Sequence, residues 1–491
     1  MVPKTILMNS NTSHNDTIMT RIISFLITIF ISLHCWGLTM QEAVDLFAST
    51  PALKHAAAGV AVMRIDSGTV VASNLLDQAI VTASTMKTVT SAAALETLGG
   101  DFQFETKILL QGTVVNDTLR GNLVISGSGD PTLGSRYFPK NPNIVKEIIT
   151  ALKEKGIKAI DGRILTDDSL YPYPPYSIHW DVGDLAWDYG AAVYPINYCD
   201  NVANVSFRVD KSGRFTPFVT KPTLSGVQVI NKMQYNSGNE DIDFALEYAT
   251  PSLVLMGPVC PGSYNLQFAN PAPNQLLADS VSHSIQRAGI AVSGREVALS
   301  KKELKEPQVL ITHLSPLLTE IITSLLDRSD NMFTHALLRA IAVRDKTWRG
   351  SNIDRIGVEC VKRLLKSKGL DSDGLFMRDG SGLARAGKAS PHLLVQMLRY
   401  MADRKYADKR LCDLMPKAGS RIGSLLPGTS LSKNIVLKSG SMTDVQCFVG
   451  YYPADEPQYA WAVLVNNYNC SRKELKNNID RLLINLFGAK K

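Results

Sequence analysis

The sequence has no lysine- or arginine-rich block, no apolar run long enough to span a bilayer, no C-x-x-C pair or histidine cluster, and no internal repeat or low-complexity tract. Each absence excludes a class. Without a basic block nothing grips a phosphate backbone, so no nucleic acid is expected as a partner, although 52 Lys+Arg against 45 Asp+Glu give a net charge of +7. A polytopic membrane protein is excluded because crossing about 30 Å of hydrocarbon takes about 20 apolar residues per helix. With no ligand-spaced Cys/His set, no metal is expected, and no cofactor is called for. A 45% share of hydrophobic residues in 491 also rules out a disordered or collagen-like chain. At roughly 150 residues per domain, this length predicts about three domains, or one domain with large insertions.

The longest apolar stretch is Ile22 to Leu33, preceded by Arg21 and followed by His34-Cys35-Trp36-Gly37. As a helix it would reach only about 18 Å, which suits the core of a signal peptide rather than a membrane span. Residues 1–37 are therefore expected to be a signal peptide cleaved after Gly37; a buried core helix is the alternative. His34 replaces the small residue that a lipoprotein signal at Cys35 needs. The polar stretch before Met19 leaves either Met1 or Met19 as the start. Export is expected to place the protein outside the cytoplasmic membrane. Peripheral contact with the membrane is open. Of the seven cysteines, removal of Cys35 leaves Cys199, Cys260, Cys360, Cys412, Cys447 and Cys470, too scattered to say whether they pair or stay free.

Past the signal, Met40 to Phe47 reads as a helix, and Gly59 to Ile65 with Thr69 to Ala72 as a β-hairpin around Asp66-Ser67-Gly68. Thr85 to Leu98 is Ala-rich, lacks Gly and Pro, and stops at Gly99-Gly100, as a helix does. From 101 to 307 the texture is strand-like, with turn clusters. Helical periodicity returns from Pro316 to Arg344 with an interruption at Ser329, then from Asp354 to Ser367 and Ser390 to Tyr406. Asn434 to Lys438, Val445 to Tyr452 and Tyr459 to Val465 read as strands, and Glu474 to Phe487 as a closing amphipathic helix.

Three short patterns carry the chemistry: Ser84-Thr85-Met86-Lys87, Ser329-Asp330-Asn331 and Lys438-Ser439-Gly440. Each also occurs by chance, at Ser430 to Lys433, at Ser237 to Asn239 and Ser263 to Asn265, and at Lys211 to Gly213, so context must discriminate. A serine hydroxyl becomes a nucleophile when a base sits within about 3 Å, and i, i+3 spacing delivers that base only on a helix. Ser84 heads a helix, whereas Ser430 leads into a strand, where alternation would part it from Lys433. Ser329 to Asn331 falls at a break between two helices, where side chains can enter a cleft. Taken alone, Asn331 would be a helix N-cap. Lys438-Ser439-Gly440 ends a strand whose glycine admits a ligand backbone, giving a clamp for a peptide carboxylate.

S-x-x-K, S-x-N and K-[ST]-G in this order resemble the active-site serine penicillin-recognising enzymes. Thr82 to Lys87, Gly127-Ser128-Gly129-Asp130-Pro131-Thr132-Leu133, Asp379-Gly380-Ser381-Gly382-Leu383 and the long gap between Ser84 and Ser329 narrow the resemblance. They are similar to the class C low-molecular-mass penicillin-binding proteins, the D-alanyl-D-alanine carboxypeptidase/endopeptidase family. Ser439 stands where that family has Thr, and Ser128 where it has Gly.

The resemblance implies acyl transfer on peptidoglycan stem peptides: Ser84 as nucleophile, Lys87 as proton acceptor, and Ser329 with Lys438 relaying a proton to the departing D-alanine. It further implies that Asn331 holds the substrate backbone, that Ser439 and Ser441 beside Gly440 hold the terminal carboxylate, and that the Ser84 and Ser441 N–H groups form an oxyanion hole. β-Lactam antibiotics would acylate the same serine. Arg385 either recognises an acidic group on the stem peptide or forms a surface ion pair, and Asp379 to Gly382 reads as a tight turn behind the site. A silent peptidoglycan-binding protein would have lost a motif residue, and none is lost. A β-lactamase would need a water-activating Glu, and none stands in such a context.

The expected fold is α+β: a β-lactamase/transpeptidase-like domain in two pieces, 41–100 and 308–491, with an antiparallel sheet flanked by helices. A large strand-rich insertion, 101–307, separates them.

Overall fold

The structure, a computed structural model, describes residues 38–294, 297–299, 307–345, 352–420 and 424–488. The expected signal segment, 1–37, lies outside them. Its centre is a five-stranded antiparallel sheet in the order Val436–Met442, Val445–Tyr452, Tyr459–Asn466, Ala57–Arg64, Val70–Asn74. Chain ends far apart in sequence thus meet edge to edge, with Ala57 opposite Asn466 and Arg64 opposite Tyr459.

Both faces of this sheet are covered, and period-two alternation explains how one run of apolar residues serves two cores. Ala61, Met63, Val449, Tyr451, Ala462 and Leu464 face a core shared with the helix Met86–Leu98. Their neighbours Val60, Val62, Phe448, Trp461 and Val463 face the helices Met40–Ala48 and Arg472–Phe487. Met86–Leu98 is buried from Met86 through Leu95. Its small residues (Thr88, Ser91, Ala92, Ala93, Ala94) let sheet and helices close in on every side, and Gly99, at φ 90°, ends it.

Between the two pieces the chain builds a separate apolar core. Its main sheet takes in Glu105–Val115, Thr118–Ser126, Ala159–Asp161 and Ile164–Asp167. Gln308–Leu314 pairs antiparallel with Glu105–Val115, so this sheet extends past residue 307. Two helices pack on it, Ile144–Glu154 and Pro273–Arg287, where the sequence suggested strands alone. Among the described residues, all six cysteines are free.

One buried charge network ties the insertion to the catalytic half. Arg339 is 1% exposed, donates from Nε to Asp354 Oδ1 at 2.9 Å, and from Nη1 to the Val193 carbonyl at 2.6 Å. Asp354, on the helix Ile353–Ser367, is held below the usual carboxylate range by His335 and the Arg339 guanidinium beside it, which outweigh the upward push of burial. Removing one partner of such a pair strands the other charge. Arg339→Leu is therefore expected to cost about 3–5 kcal/mol in denaturant unfolding; a loss under about 1 kcal/mol would show that the pair is not isolated from water.

Candidate active site

The three patterns converge on one cleft of about 360 Å³ lined by Ser84, Asp184, Tyr189, Ser329, Asn331, Leu383, Arg385 and Ser441, among others. Each functional side chain is aimed by a specific local device. Ser84 sits in the 3-10 turn Ala83–Thr85, just before the helix Met86–Leu98, and Ala83 is held at φ 45°. That left-handed backbone is strained for a residue with a Cβ, and it swings the Ser84 hydroxyl out of the helix axis into the cleft. Ser329 is likewise left-handed, φ 60° and ψ 40°, where it caps the helix Leu318–Arg328. Asp330 then caps the next helix, Asn331–Arg344, by accepting from the Phe333 N–H. The capping role open to Asn331 thus falls to Asp330, and the Asn331 amide is free to face the cleft.

Beneath the cleft floor lie two fully buried lysines. Lys87 Nζ is 3.0 Å from Ser84 Oγ, 2.6 Å from Asn331 Oδ1 and 2.8 Å from the Ser381 carbonyl oxygen. Lys438 Nζ donates to Ser329 Oγ at 2.9 Å and to the Ser439 carbonyl at 2.6 Å. Burial disfavours the ammonium form of both. It brings Lys87 down to about 7, with Asp379 and Asp330 pulling the other way. Lys438 falls well below its ordinary value, first through burial and then through the charge of Lys87. A neutral amine 3.0 Å from the serine oxygen is what general-base activation of a hydroxyl needs.

The Asp379 to Leu383 turn closes the back of the site. Asp379 accepts from the N–H groups of Ser381, Gly382 and Leu383 and from the indole N–H of Trp180, which fixes the Ser381 carbonyl toward Lys87. The expected tight turn behind the site is what the structure contains. Ser441 and Arg385 line the cleft. Arg385 is more than half exposed, and its Nε contacts Asp181 at 3.2 Å. Ser439 offers its carbonyl to Lys438 and is not among the cleft-lining residues.

The model of one family, described as D-Ala-D-Ala carboxypeptidase 3 (S13), matches residues 40–486. The chain belongs to that family. The family, the α+β fold and the enzyme class are those the three motifs implied. D-alanyl-D-alanine carboxypeptidase DacB of Haemophilus influenzae is 26% identical over 478 residues, covering 94% of this chain and 95% of its own. The D-alanyl-D-alanine carboxypeptidase of Actinomadura sp. R39 is 24% identical over 459 residues, covering 88% and 81% respectively. Crystal structures of penicillin binding protein 4 (dacB) from Haemophilus influenzae share the fold, with TM-scores of 0.76 and, for one complexed with a β-lactam, 0.71, at 24% identity. They cover 91% of this chain and 99% or 98% of their own.

In this S13 enzyme two readings of the sequence need correction. Ser430 to Lys433 is a 3-10 turn rather than the start of a strand, and both end residues are exposed, so the duplicate motif fails by location and not by strand alternation. Lys438-Ser439-Gly440 lies inside the strand Val436–Met442 rather than at its end. The close approach that Gly440 permits is to the protein's own backbone, since a Cβ there would lie 2.6 Å from Thr82 O and 2.9 Å from Ser84 N. Sequence reasoning also missed Tyr189 and Asp184. Asn331 Nδ2 donates to the Tyr189 carbonyl at 2.8 Å, so the insertion orients a motif residue. A main-chain acceptor leaves no residue-type signal; the aromatic cluster Trp187–Tyr189, whose rings stack, was the only available hint.

Proposed function

We propose that the chain cleaves the D-alanyl-D-alanine end, and the cross-links, of peptidoglycan stem peptides through an acyl-enzyme on Ser84. The Lys87–Ser84 pair, 3.0 Å apart with the lysine buried, carries this reading. Lys87 takes the hydroxyl proton as Ser84 Oγ bonds to the penultimate carbonyl carbon. The C–N bond then breaks, and the departing amine is protonated through Ser329 and Lys438, which are 2.9 Å apart. The Ser84 and Ser441 N–H groups hold the oxyanion, a role in which one donor is worth about 3–4 kcal/mol. Asn331 holds the substrate backbone, Ser441 the terminal carboxylate, and Arg385 an acidic group of the stem peptide. Water releases the acyl group, regenerating Ser84. A β-lactam opens on the same serine but keeps its amine tethered, which blocks water and traps the adduct. The work is done outside the cytoplasmic membrane, after removal of the N-terminal signal. No described helix is long and apolar enough to cross a membrane.

The test is labelling of the purified protein with a fluorescent penicillin, with the modified peptide mapped by mass spectrometry and D-alanine release from a pentapeptide measured alongside. An adduct on Ser84 is expected; an adduct elsewhere, or none, sinks the reading. Since only the amine of Lys87 accepts a proton, the acylation rate should rise with pH through about 7 and level off above it. A rate flat across that window would mean that Lys87 is not the titrating base.

A further inference from the structure

We infer that His335 is a positioning residue for Lys87, acting through the Asp379–Gly382 turn that presents the Ser381 carbonyl to the Lys87 amine. This rests on the acyl-enzyme reading above. His335 is fully buried on the helix Asn331–Arg344 and makes no contact with the cleft. Its Nδ1 accepts from the Gly380 N–H at 3.2 Å. A ring nitrogen that accepts an N–H carries no proton, so the imidazole proton belongs on Nε2. Nε2 lies 3.2 Å from Asp354 Oδ1, without the alignment of a hydrogen bond. Asp354 thereby favours the tautomer that keeps Nδ1 available to the turn.

Around the imidazole, Asp354 on the helix Ile353–Ser367 faces Nε2 and is itself bound by Arg339, one turn further along the His335 helix, while the Trp180 ring, from the insertion, sits 5.1 Å away centroid to centroid. The indole N–H of Trp180 donates to Asp379 at 2.8 Å. From the catalytic helix, Thr90 Oγ1 donates to the Gly380 carbonyl at 2.6 Å. Gly380 is thus held at its N–H by His335 and at its carbonyl by Thr90, and the next carbonyl, of Ser381, accepts from Lys87 at 2.8 Å. The turn is also pressed on the His335 helix, since a Cβ at Gly380 would lie 2.9 Å from Thr334 O.

An acceptor facing an amine stabilises its protonated form more than its neutral form, so moving the Ser381 carbonyl away lowers the pKa of Lys87 and also loosens its aim at Ser84. A merely structural histidine would reduce the amount of folded protein without moving that titration.

The experiment is the second-order rate of acylation by a fluorescent penicillin, followed across the Lys87 titration for the full-length protein and its variants. His335→Leu, which keeps bulk and loses the acceptor, is expected to lower the plateau about 10- to 100-fold, the scale of a small misplacement of reacting groups, and to shift the acid limb to lower pH. His335→Asn, with an amide oxygen near the Nδ1 position, is expected to keep the wild-type limb. Thr90→Val loosens the same peptide without touching the imidazole and should move the limb in the same direction. A wild-type limb in both His335→Leu and Thr90→Val overturns the inference, as does a limb shifted equally in His335→Leu and His335→Asn. Should His335→Leu fail to fold, the limb of His335→Ala, read against that of His335→Asn, decides in its place. If Ser84→Ala still labels, the acyl-enzyme reading itself has failed, which is a different result.

Discussion

Ser84→Ala and Lys87→Met are each expected to lower penicillin acylation by at least about 10³-fold, and the double variant to fall no further. The reason is geometric. The lysine amine has three neighbours within 3.0 Å, and one of them is the nucleophile, so the two side chains act as one device. Removing the hydroxyl leaves nothing to deprotonate; removing the amine leaves a hydroxyl that water cannot reach from below, because Lys87 is fully buried. Methionine preserves the length of the stem, so lost packing is small, and the cost falls on the Asn331 and Ser381 oxygens left without their donor. Single-turnover acylation of the two single variants and the double variant, with folding checked by denaturant titration, reads the result. Losses that multiply would show two independent contributions and would move the base elsewhere, with Lys438 acting through Ser329 as the next candidate.

The parts of this arrangement legible in the sequence are those set by local pattern. The Ala-rich stretch ending at Gly99-Gly100 became the helix Met86–Leu98, and the break at Ser329 became a left-handed residue between two helices. The strands Val445–Tyr452 and Tyr459–Asn466 lie where apolar runs and the turn residues between them put them, and the expected antiparallel sheet joins the two separated pieces. Less legible was whatever depends on contacts distant in sequence. The Ser381 carbonyl and the Tyr189 carbonyl hold Lys87 and Asn331 through main-chain atoms, which no residue type announces. His335 carries no signal in the sequence, because its partners, Gly380 and Asp354, lie in other elements. The helices Ile144–Glu154 and Pro273–Arg287 were lost in a stretch dominated by turn-rich segments, although Asn143 caps the first and Pro273 opens the second. Cysteine pairing, left open by spacing, is absent among the described residues, where all six cysteines are free.

The glycines of the motifs point to the last expected result. A Cβ on Gly440 would lie 2.6 Å from Thr82 O and 2.9 Å from the Ser84 and Thr85 nitrogens, while one on Gly382, at φ 76°, would lie 2.0 Å from Ala83 O. The turn that carries the nucleophile is therefore gripped between two bare backbones, one from the strand that carries Lys438 and one from the turn that carries the Ser381 carbonyl. None of these atoms is the end of a flexible side chain, so relief requires the turn, the strand or the Asp379 turn to move as a unit. Gly440→Ala and Gly382→Ala are each expected to lower acylation at least about 10²-fold, because displacing reacting groups by an ångström costs that much, and to destabilise by about 1–3 kcal/mol, as overpacking does. Gly369→Ala supplies the control: it carries a comparable φ of 71° with nothing within 4 Å of the added Cβ, so it should lose about 1 kcal/mol and acylate at the wild-type rate. If Gly440→Ala acylates normally, the strand yields without disturbing Ser84, and the nucleophile is then held by its own strained turn at Ala83 rather than by the strand and turn that enclose it.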